Sequence, residues 1–249
     1  MGLLLTLLVP PQGTLDEVRE VMHDAQRAAA SLNVEIVGGH TEVTSSVRKL
    51  IISATAMGVV RGGRVINGAG ARPGDALIMT KWAGMEGTAI LAGDCGEALA
   101  SVLEPKVLEG AKKLIDAVSV VPEGRMASSL PVTAMHDVTE GGILGAVWEV
   151  CEASGCGCRV VLDAIPVLEV TRKICGHFGL DPYRLISSGS MLMAASDPEA
   201  VLEALLGEGI PACVIGVCTQ EGMLMEKQGS LAPLEPPGSD ELYRVVARD

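Results

Sequence analysis

The fold of this chain is decided by one stretch, Ala134-Met-His-Asp-Val-Thr-Glu-Gly-Gly-Ile-Leu-Gly-Ala-Val-Trp148. The apolar run at residues 130–135 has the length of a short buried strand, and apolar residues recur at helical spacing from Ile143 onward. The stretch therefore predicts a strand, a glycine-containing turn and an amphipathic helix.

The turn in this stretch carries residues that can bind a ligand. Asp137 or Thr139 is predicted to cap the helix, and Gly141 and Gly142 let a ligand approach the backbone. A helix N-terminus presents unpaired N–H groups and a partial positive charge, which suits a phosphate. Because the spacing matches neither a Walker loop nor a dinucleotide fingerprint, an ordinary helix cap with packing glycines stays open as the alternative.

Composition narrows the class of protein. The chain has 249 residues, which favours one large domain or two small ones, and 48% of them are hydrophobic, enough for a substantial core. Only 2% are aromatic and the formal net charge is -12, so both the basic surface and the stacking residues of a nucleic-acid-binding protein are missing. We therefore expect an aliphatic core and no nucleic-acid partner.

The N-terminal apolar run, residues 3–9, is too short to span a membrane and no basic region precedes it. It predicts a buried strand, no membrane partner and a cytoplasmic protein. The seven cysteines are an odd number in apolar contexts, which indicates reduced thiols. The pair Cys156-Gly-Cys158 is one residue tighter than a zinc-binding CxxC, and no matching His/Cys pair follows, so buried thiols are the interpretation.

Strand and helix patterns alternate along the whole chain, which predicts an α/β or α+β class. Thr14 and Glu17 form a capping-box pattern for a helix that reaches about Ala30. The glycine-dense segment 61–74 marks a boundary between domains. Strands are predicted at 3–9, 34–37, 50–60, 76–80, 130–135, 159–162, 191–195, 212–218 and 222–226, and further helices from 86, at 97–102, 104–119, 123–129, 143–153, 167–178, 198–207 and 240–247. The predicted domains are 1–62 and 70–226, followed by a C-terminal tail at 227–249.

Five motifs stand in a characteristic order: Gly38-Gly-His-Thr-Glu-Val43, Ala71-Arg-Pro-Gly-Asp75, Glu86-Gly-Thr-Ala-Ile-Leu91, His136-Asp-Val-Thr-Glu-Gly-Gly142 and Ser187-Ser-Gly-Ser190. In this order they resemble the aminoimidazole ribonucleotide synthase (PurM-like) superfamily. The resemblance is strongest to its hydrogenase-maturation branch and covers nearly the whole chain.

The resemblance implies a PurM-like two-domain fold. An N-terminal β-rich domain forms a barrel shared with its dimer mate, so a homodimer is expected, and the C-terminal domain is an α/β sandwich. ATP is expected in a cleft between the domains, with Mg²⁺ bridging its phosphates. The implied reaction is phosphoryl transfer to an amide or carboxylate-type oxygen of a small molecule or a protein terminus.

Carried over position by position, the resemblance assigns the candidate site residues. Asp137 is assigned to catalysis, and Glu42 and Asp137 to the metal, since Mg²⁺ is usually held by one or two carboxylates plus phosphate oxygens. His40 is a catalytic candidate by its own chemistry, because an imidazole can carry a proton near neutral pH. The assigned ATP and phosphate contacts are Gly38, Gly39, Thr41, Thr139, Gly141, Gly142 and Ser188. Purely structural interpretations stay open: Glu42 as a charge at a strand edge, His40 as a structural histidine and Asp137 as a helix cap.

Three departures from the family pattern stand beside the resemblance. The family's glycine-rich segment with paired aspartates is expected ahead of Leu3, His40 stands where the family has a carboxylate, and the chain ends at Asp249 without a terminal cysteine. They predict a truncated relative that does not form a nitrile and binds Mg²⁺-ATP weakly. The alternative is a non-catalytic module that holds a nucleotide, another anion or a maturation partner.

Overall fold

The computed structural model describes residues 1–60 and 65–246, and the chain divides into two units, Met1–Val65 and Ile66–Asp249. Two ranges lie outside the described residues: 61–64, in the predicted boundary segment, and 247–249, in the predicted tail. Residue 247 is also the last residue of the predicted terminal helix. Within the described part of the chain, no helix combines the length and apolarity that a bilayer span requires.

Unit 1 is a three-stranded sheet with one helix. Its elements are β1 (Gly2–Val9), α1 (Leu15–Ser31), β2 (Glu35–Val43) and β3 (Ile51–Met57). The strand order is β2-β1-β3, in which β1 is parallel to β2 and antiparallel to β3. The predicted strand at 3–9 is therefore confirmed and lies in the middle of the sheet.

The helix α1 begins as its sequence predicts. The Thr14 hydroxyl accepts from the Glu17 N–H group while the Glu17 carboxylate accepts from the Thr14 N–H group, which satisfies two otherwise unpaired donors. The bond from the Thr14 backbone also lowers the pKa of Glu17. The apolar face of α1 packs on the buried side chains of Leu5, Leu7 and Val9, so one face of the sheet is covered.

The predicted glycine loop at 38–42 is instead part of a strand. The strand β2 continues through it to Val43 and stays paired with β1 along its whole length. The register shifts between Leu3 and Leu4, where β2 carries one extra residue. Gly39 is required here because its φ is +147° and an added Cβ would lie 1.8 Å from the Leu5 carbonyl oxygen.

Unit 2 contains a seven-stranded sheet in the order β10-β9-β6-β8-β4-β7-β5. The strands β6 and β9 run parallel, and the other paired strands are antiparallel. The strands are β4 (Ala76–Thr80), β5 (Val132–Asp137), β6 (Gly157–Val161), β7 (Met191–Ala195), β8 (Ala212–Thr219), β9 (Met223–Lys227) and β10 (Ser230–Pro233). The helices are α2 (Met85–Asp94), α3 (Gly96–Leu99), α4 (Pro105–Lys112), α5 (Val121–Ala127), α6 (Gly142–Ser154), α7 (Glu169–Phe178) and α8 (Pro198–Gly207), with 3-10 turns at Lys113–Ala117, Leu162–Ala164 and Glu241–Arg244.

Successive side chains of the central strands pack into two different hydrophobic cores. Leu77 and Met79 of β4 pack with α6, whereas Ile78 between them packs with α5 and α8. Because successive strand residues point to opposite faces, helices cover the sheet on both sides. A third cluster joins α2, α4 and α7. The expected mixed α/β sandwich is confirmed for unit 2.

Two boundaries differ from the sequence prediction. The helix predicted for 104–119 ends at Lys112 and continues as a 3-10 turn. The described part of the predicted tail belongs to unit 2, because β10 pairs with β9 and the side chains of Leu234 and Leu242 are buried in its cores. Instead of the helix predicted at 240–247, the structure has a short 3-10 turn, Glu241–Arg244.

Candidate functional site

Three segments meet beyond one end of the strands of the unit 2 sheet, where β4 and β5 end and β7 begins. The Met191 N–H group donates to the Thr80 hydroxyl at 2.9 Å, and the Ser190 hydroxyl donates to the Trp82 carbonyl oxygen at 2.9 Å. The Val138 N–H group donates to the Ser190 carbonyl oxygen at 2.9 Å. We call these segments, residues 80–84, 137–142 and 187–190, the strand-end site.

Two predicted residues of the strand-end site face solvent. Asp137 ends β5, and both Asp137 and Thr139 are exposed, whereas Val138 between them is buried. The side-chain oxygens of Asp137 and Thr139 are therefore accessible to a ligand.

The serine loop at 187–190 serves mainly to hold the site together. The buried Ser187 hydroxyl accepts from the Gly84 N–H group at 2.6 Å and donates to the Leu185 carbonyl oxygen at 2.8 Å. Ser190 is fully buried, and its hydroxyl is used in the bond to the Trp82 carbonyl oxygen just after β4. Ser188 is half-buried, so it remains the serine of this loop with a side chain toward solvent.

Lys81, at the turn that follows β4, is engaged within the protein. Its Nζ lies 2.9 Å from Oε1 of the fully buried Glu123 and donates to the Ser119 carbonyl oxygen at 2.7 Å. A buried carboxylate needs a partner to offset its desolvation, and Lys81 supplies it. This lysine therefore stabilises the start of the loop after β4.

The helix α6 is capped differently from the prediction. Its N-cap is Gly141, at φ +81°, and no side chain accepts from the first turn, so the predicted cap by Asp137 or Thr139 is wrong. Thr139 acts through its backbone, because its carbonyl oxygen accepts from the Gly142 N–H group at 3.2 Å. The side chains of Asp137 and Thr139 are thereby left free of capping.

The anion at the N-terminus of α6 comes from the chain itself. Asp240 is 3% exposed, and its carboxylate accepts from the N–H groups of Gly141 at 2.8 Å, Ile186 at 3.2 Å and Leu242 at 2.8 Å. A negative charge is favourable there because of the helix dipole and the unpaired donors. The expectation that Gly141 and Gly142 hold their N–H groups for an external phosphate is therefore wrong for this structure.

Sequence reasoning missed Asp240, since it follows the turn residues Gly238 and Ser239 and looks like an ordinary local cap. It does cap the 3-10 turn that follows it, through the Leu242 N–H group. Its second role, at a glycine 99 positions away, leaves no signal in the local pattern.

His136 is also held in place. Its Nε2 lies 3.3 Å from the Glu149 carboxylate on α6, and its Nδ1 contacts the Asp137 carbonyl oxygen. The pairing ties the end of β5 to α6. It fits the structural interpretation of this histidine.

The predicted residues of β2 do not converge on one point. In the ladder with β1, His40 and Glu42 pair with Thr6 and Leu8, whereas Thr41 pairs with the buried Leu7 under α1. Since strand residues alternate between faces, His40 and Glu42 lie on one face and Thr41 on the other, as does Gly39. His40 Nε2 lies 3.5 Å from a Glu42 carboxylate oxygen, and both side chains are more than half exposed.

The predicted magnesium ligands form only a partial shell. Among residues 1–60 and 65–246, the one group of three mutually close His, Cys, Asp or Glu ligand atoms consists of cysteines, and it contains neither Glu42 nor Asp137. Mg²⁺ is commonly held by one or two carboxylates, with phosphate oxygens and water completing its octahedron. Asp137 and Glu140 are the exposed carboxylates of the strand-end site, and a carboxylate oxygen is a ligand that Mg²⁺ accepts.

Comparison with known proteins places the whole chain in one family. The model of the AIR synthase related protein N-terminal domain matches residues 1–60, and that of the C-terminal domain matches residues 72–225. A putative hydrogenase expression/formation protein of Methanocaldococcus jannaschii is 30% identical over 98% of this chain and 72% of its own length. The carbamoyl dehydratase HypE of Cupriavidus necator is 31% identical over 93% of this chain, which spans only 66% of that enzyme.

Solved structures agree with the sequence matches. The crystal structure of HypE, a hydrogenase maturation protein from Escherichia coli, superposes with a TM-score of 0.82 at 25% identity, covering 98% of this chain and 76% of that one. A HypE structure in complex with ATP gives a TM-score of 0.76 at 25% identity, covering 98% and 75%. Thiamine monophosphate kinase of Aquifex aeolicus shares the fold, with a TM-score of 0.69 at 17% identity, covering 93% and 74%. The chain therefore belongs to the AIR synthase-related protein family, and its similarity to HypE confirms the resemblance inferred from its motifs.

Proposed function

We propose that this chain binds the phosphates of ATP at the strand-end site. The observation that carries the proposal is the convergence of three loops at one end of the sheet strands, where Asp137 and Thr139 are exposed and Ser188 is half-buried. A HypE structure of the same fold was solved with ATP, which supports a nucleotide as the ligand. Hydroxyl donors and a carboxylate that reaches a metal suit a triphosphate.

The residues take distinct roles in this proposal. The hydroxyls of Thr139 and Ser188 donate to phosphate oxygens, and Asp137 is the metal ligand. Gly141 and Gly142 contribute the shape of the turn, because their N–H groups are already used. When bound, Mg²⁺ neutralises charge on the phosphates. On β2 of unit 1, we propose His40 as a proton acceptor, with a Glu42 carboxylate oxygen 3.5 Å from its Nε2.

The proposed reaction is ATP-dependent phosphoryl transfer to an amide or carboxylate-type oxygen of a small molecule or a protein terminus. The second candidate is a module that holds a nucleotide or a maturation partner without turnover. The partial carboxylate shell and the internal anion at Gly141 favour this second candidate. Since all seven cysteines are unpaired, we also propose a reducing, cytoplasmic location.

Calorimetric titration with ATP tests the site. We expect weak binding that Mg²⁺ strengthens only modestly, because the strand-end site has two exposed carboxylates, Asp137 and Glu140, and the Glu140 carboxylate already accepts from the Tyr243 hydroxyl. Asp137→Asn should weaken Mg²⁺-ATP binding by about tenfold, or about 1.4 kcal/mol. Hydrolysis should be very slow, because loss of one strong electrostatic contact costs about 10²–10³ in rate.

Asp94→Asn is the matched control, since Asp94 is an exposed carboxylate at the far end of α2. It should leave the affinity for ATP within about twofold, or roughly 0.5 kcal/mol. Equal affinity in all three proteins would remove Asp137 from the site. Fast Mg²⁺-dependent turnover that Asp137→Asn abolishes would favour phosphoryl transfer over the binding module.

We further propose that the chain forms a homodimer through unit 1. The sheet face opposite α1 carries Leu4 and Leu8 of β1 with Ile51 and Met57 of β3, and the last two are each 48% exposed. A unit of this size buries little surface by itself, and its edge strands expose unpaired backbone groups. A second copy that pairs with this sheet edge to edge would cover the apolar strands and remove the exposed edges.

Light scattering tests the dimer. The wild-type chain at micromolar concentration should have twice the 25.7 kDa mass of one chain. Ile51→Lys should shift it to the monomer, because a lysine ammonium in an apolar interface loses its hydration. Leu206→Lys is the control, since Leu206 is an exposed apolar residue of unit 2 and its change should leave the mass unaltered. A wild-type monomer would contradict the proposal.

A further inference from the structure

Four of the seven cysteines gather in the core of unit 2. Cys151 lies on α6, Cys156 just before β6, Cys158 on β6 and Cys218 on β8. The Sγ atoms of Cys151, Cys156 and Cys218 all lie within 4.8 Å of one another. These three residues are 0%, 7% and 2% exposed, so Cys156 lies nearest to solvent.

The topology explains why residues so distant in sequence meet here. Cys158 lies directly opposite Cys218 in the antiparallel pair of β6 and β8. The left-handed Gly155 ends α6 and turns the chain back, so the Cys156 N–H group donates to the Cys151 carbonyl oxygen at 3.0 Å. The sequence pair at 156 and 158 is therefore half of a larger group.

The spacing of three sulfur atoms suits one metal ion. Thiolates bind Zn²⁺ at about 2.3 Å, which separates the sulfurs by about 3.8 Å in a tetrahedron and about 4.0 Å in a plane. The observed limit of 4.8 Å requires a closing of at most about 1 Å, which small thiol rotations provide. Within the described residues this is the one such group of potential ligands.

We propose that Cys151, Cys156 and Cys218 bind one thiophilic metal ion of the zinc class, and that Cys158 supports them from outside the coordination shell. Thiolates are soft ligands that select zinc or cuprous ions over magnesium. Three thiolates with Zn²⁺ leave a net charge of -1 in an apolar core, and a fourth thiolate would raise that cost. Cys158 therefore stays outside the coordination shell, where its thiol donates to the Met223 thioether at 3.7 Å.

The proposal predicts graded effects of substitution. Alanine at 151, 156 or 218 removes a ligand, so stoichiometric binding should be lost. Cys158→Ala removes an outer hydrogen bond and should weaken the affinity by about 10–100-fold while keeping one ion per chain. Cys175→Ala is the matched control, because Cys175 is 2% exposed and its thiol stands outside the group. Burial raises the pKa of Cys175 to about 12, so it stays protonated.

The test is an anaerobic titration of the reduced full chain with Zn²⁺ against a chromophoric chelator. We expect one ion per chain in the wild type and in Cys175→Ala, with proton release on binding, and none in Cys218→Ala. Absence of stoichiometric binding by the wild type, or one ion retained by Cys218→Ala, overturns the proposal.

A second measurement needs no variant, in case Cys218→Ala fails to fold. Co²⁺ added to the wild-type chain should give the sulfur-to-metal charge-transfer absorption of a thiolate complex, and one equivalent of Zn²⁺ should displace it. A Co²⁺ spectrum without that absorption overturns the proposal. Preference for Cu⁺ in competition with Zn²⁺ would keep the thiolate site and reassign its ion. Neither measurement depends on the proposed ATP site.

Discussion

Replacing Asp240 with alanine is expected to lower the free energy of unfolding of unit 2 by about 3–5 kcal/mol, because it removes a buried carboxylate that accepts three backbone hydrogen bonds. The substitution leaves the N–H groups of Gly141, Ile186 and Leu242 without their acceptor. Each unsatisfied buried donor costs about 1–3 kcal/mol. Both tryptophans, Trp82 and Trp148, lie in unit 2, so their fluorescence during urea denaturation reports this unit.

Asp197→Ala is the control for this change. Asp197 is also a capping aspartate, but it is exposed and its bond is to a single donor, Ala200. It should cost about 1 kcal/mol. Formate or sulfate should partly restore the stability of Asp240→Ala, because an anion can occupy the vacated donors. Equal losses for the two variants would show that the three bonds to Asp240 add nothing to an ordinary cap.

Gly142→Ala is expected to destabilise unit 2 by about 2–5 kcal/mol. The residue has φ +62°, which costs an L-residue about 1–2 kcal/mol, and overpacking adds about 1–3 kcal/mol. The added methyl would lie 2.5 Å from the Tyr183 carbonyl oxygen and 2.9 Å from the Arg184 backbone. Neither neighbour is the free end of a side chain, so relief requires backbone movement. The same fluorescence assay measures the loss.

The other end of the same helix supplies the matched variant. Gly155 has φ +67°, but a Cβ there would meet no atom within 4 Å. Gly155→Ala should therefore cost only the backbone term, about 1–2 kcal/mol. If the two alanines cost the same, the close approach of the 183–184 backbone to Gly142 contributes nothing to stability.

Much of the fold could be predicted because its signals are local. The capping box of Thr14 and Glu17, the apolar run of β1 and the helical spacing after Ile143 each concern residues a few positions apart. The strand through Gly38–Glu42 was harder, since glycine and charge are typical of loops. Pairing with β1 decides that segment, and pairing is a long-range property.

The candidate site was predictable only in part, for the same reason. The stretch around Asp137 predicted the strand, the turn and the helix, and the family motifs indicated that the loop at 187–190 belongs with them. The residues that pair with groups of the site, and so decide which groups remain free, lie far from them in sequence. Asp240 takes the Gly141 N–H group and Glu123 takes Lys81, across 99 and 42 positions, and neither carboxylate is marked by its neighbours in sequence.

The strand order of unit 2 has a consequence for the growing chain on the ribosome. The strand β4 lies between β7 and β8, yet about 110 residues separate its end from the start of β7. At a synthesis rate of about 5–20 residues per second, roughly 6–22 s pass between the synthesis of β4 and that of β7, the first strand with which it pairs. During that interval Leu77, Ile78 and Met79, all fully buried in the native state, have no sheet to join. Synthesis thus exposes an aggregation-prone strand, and a chaperone that holds nascent apolar segments would raise the yield of folded unit 2 more than that of unit 1, whose strands are complete by Met57.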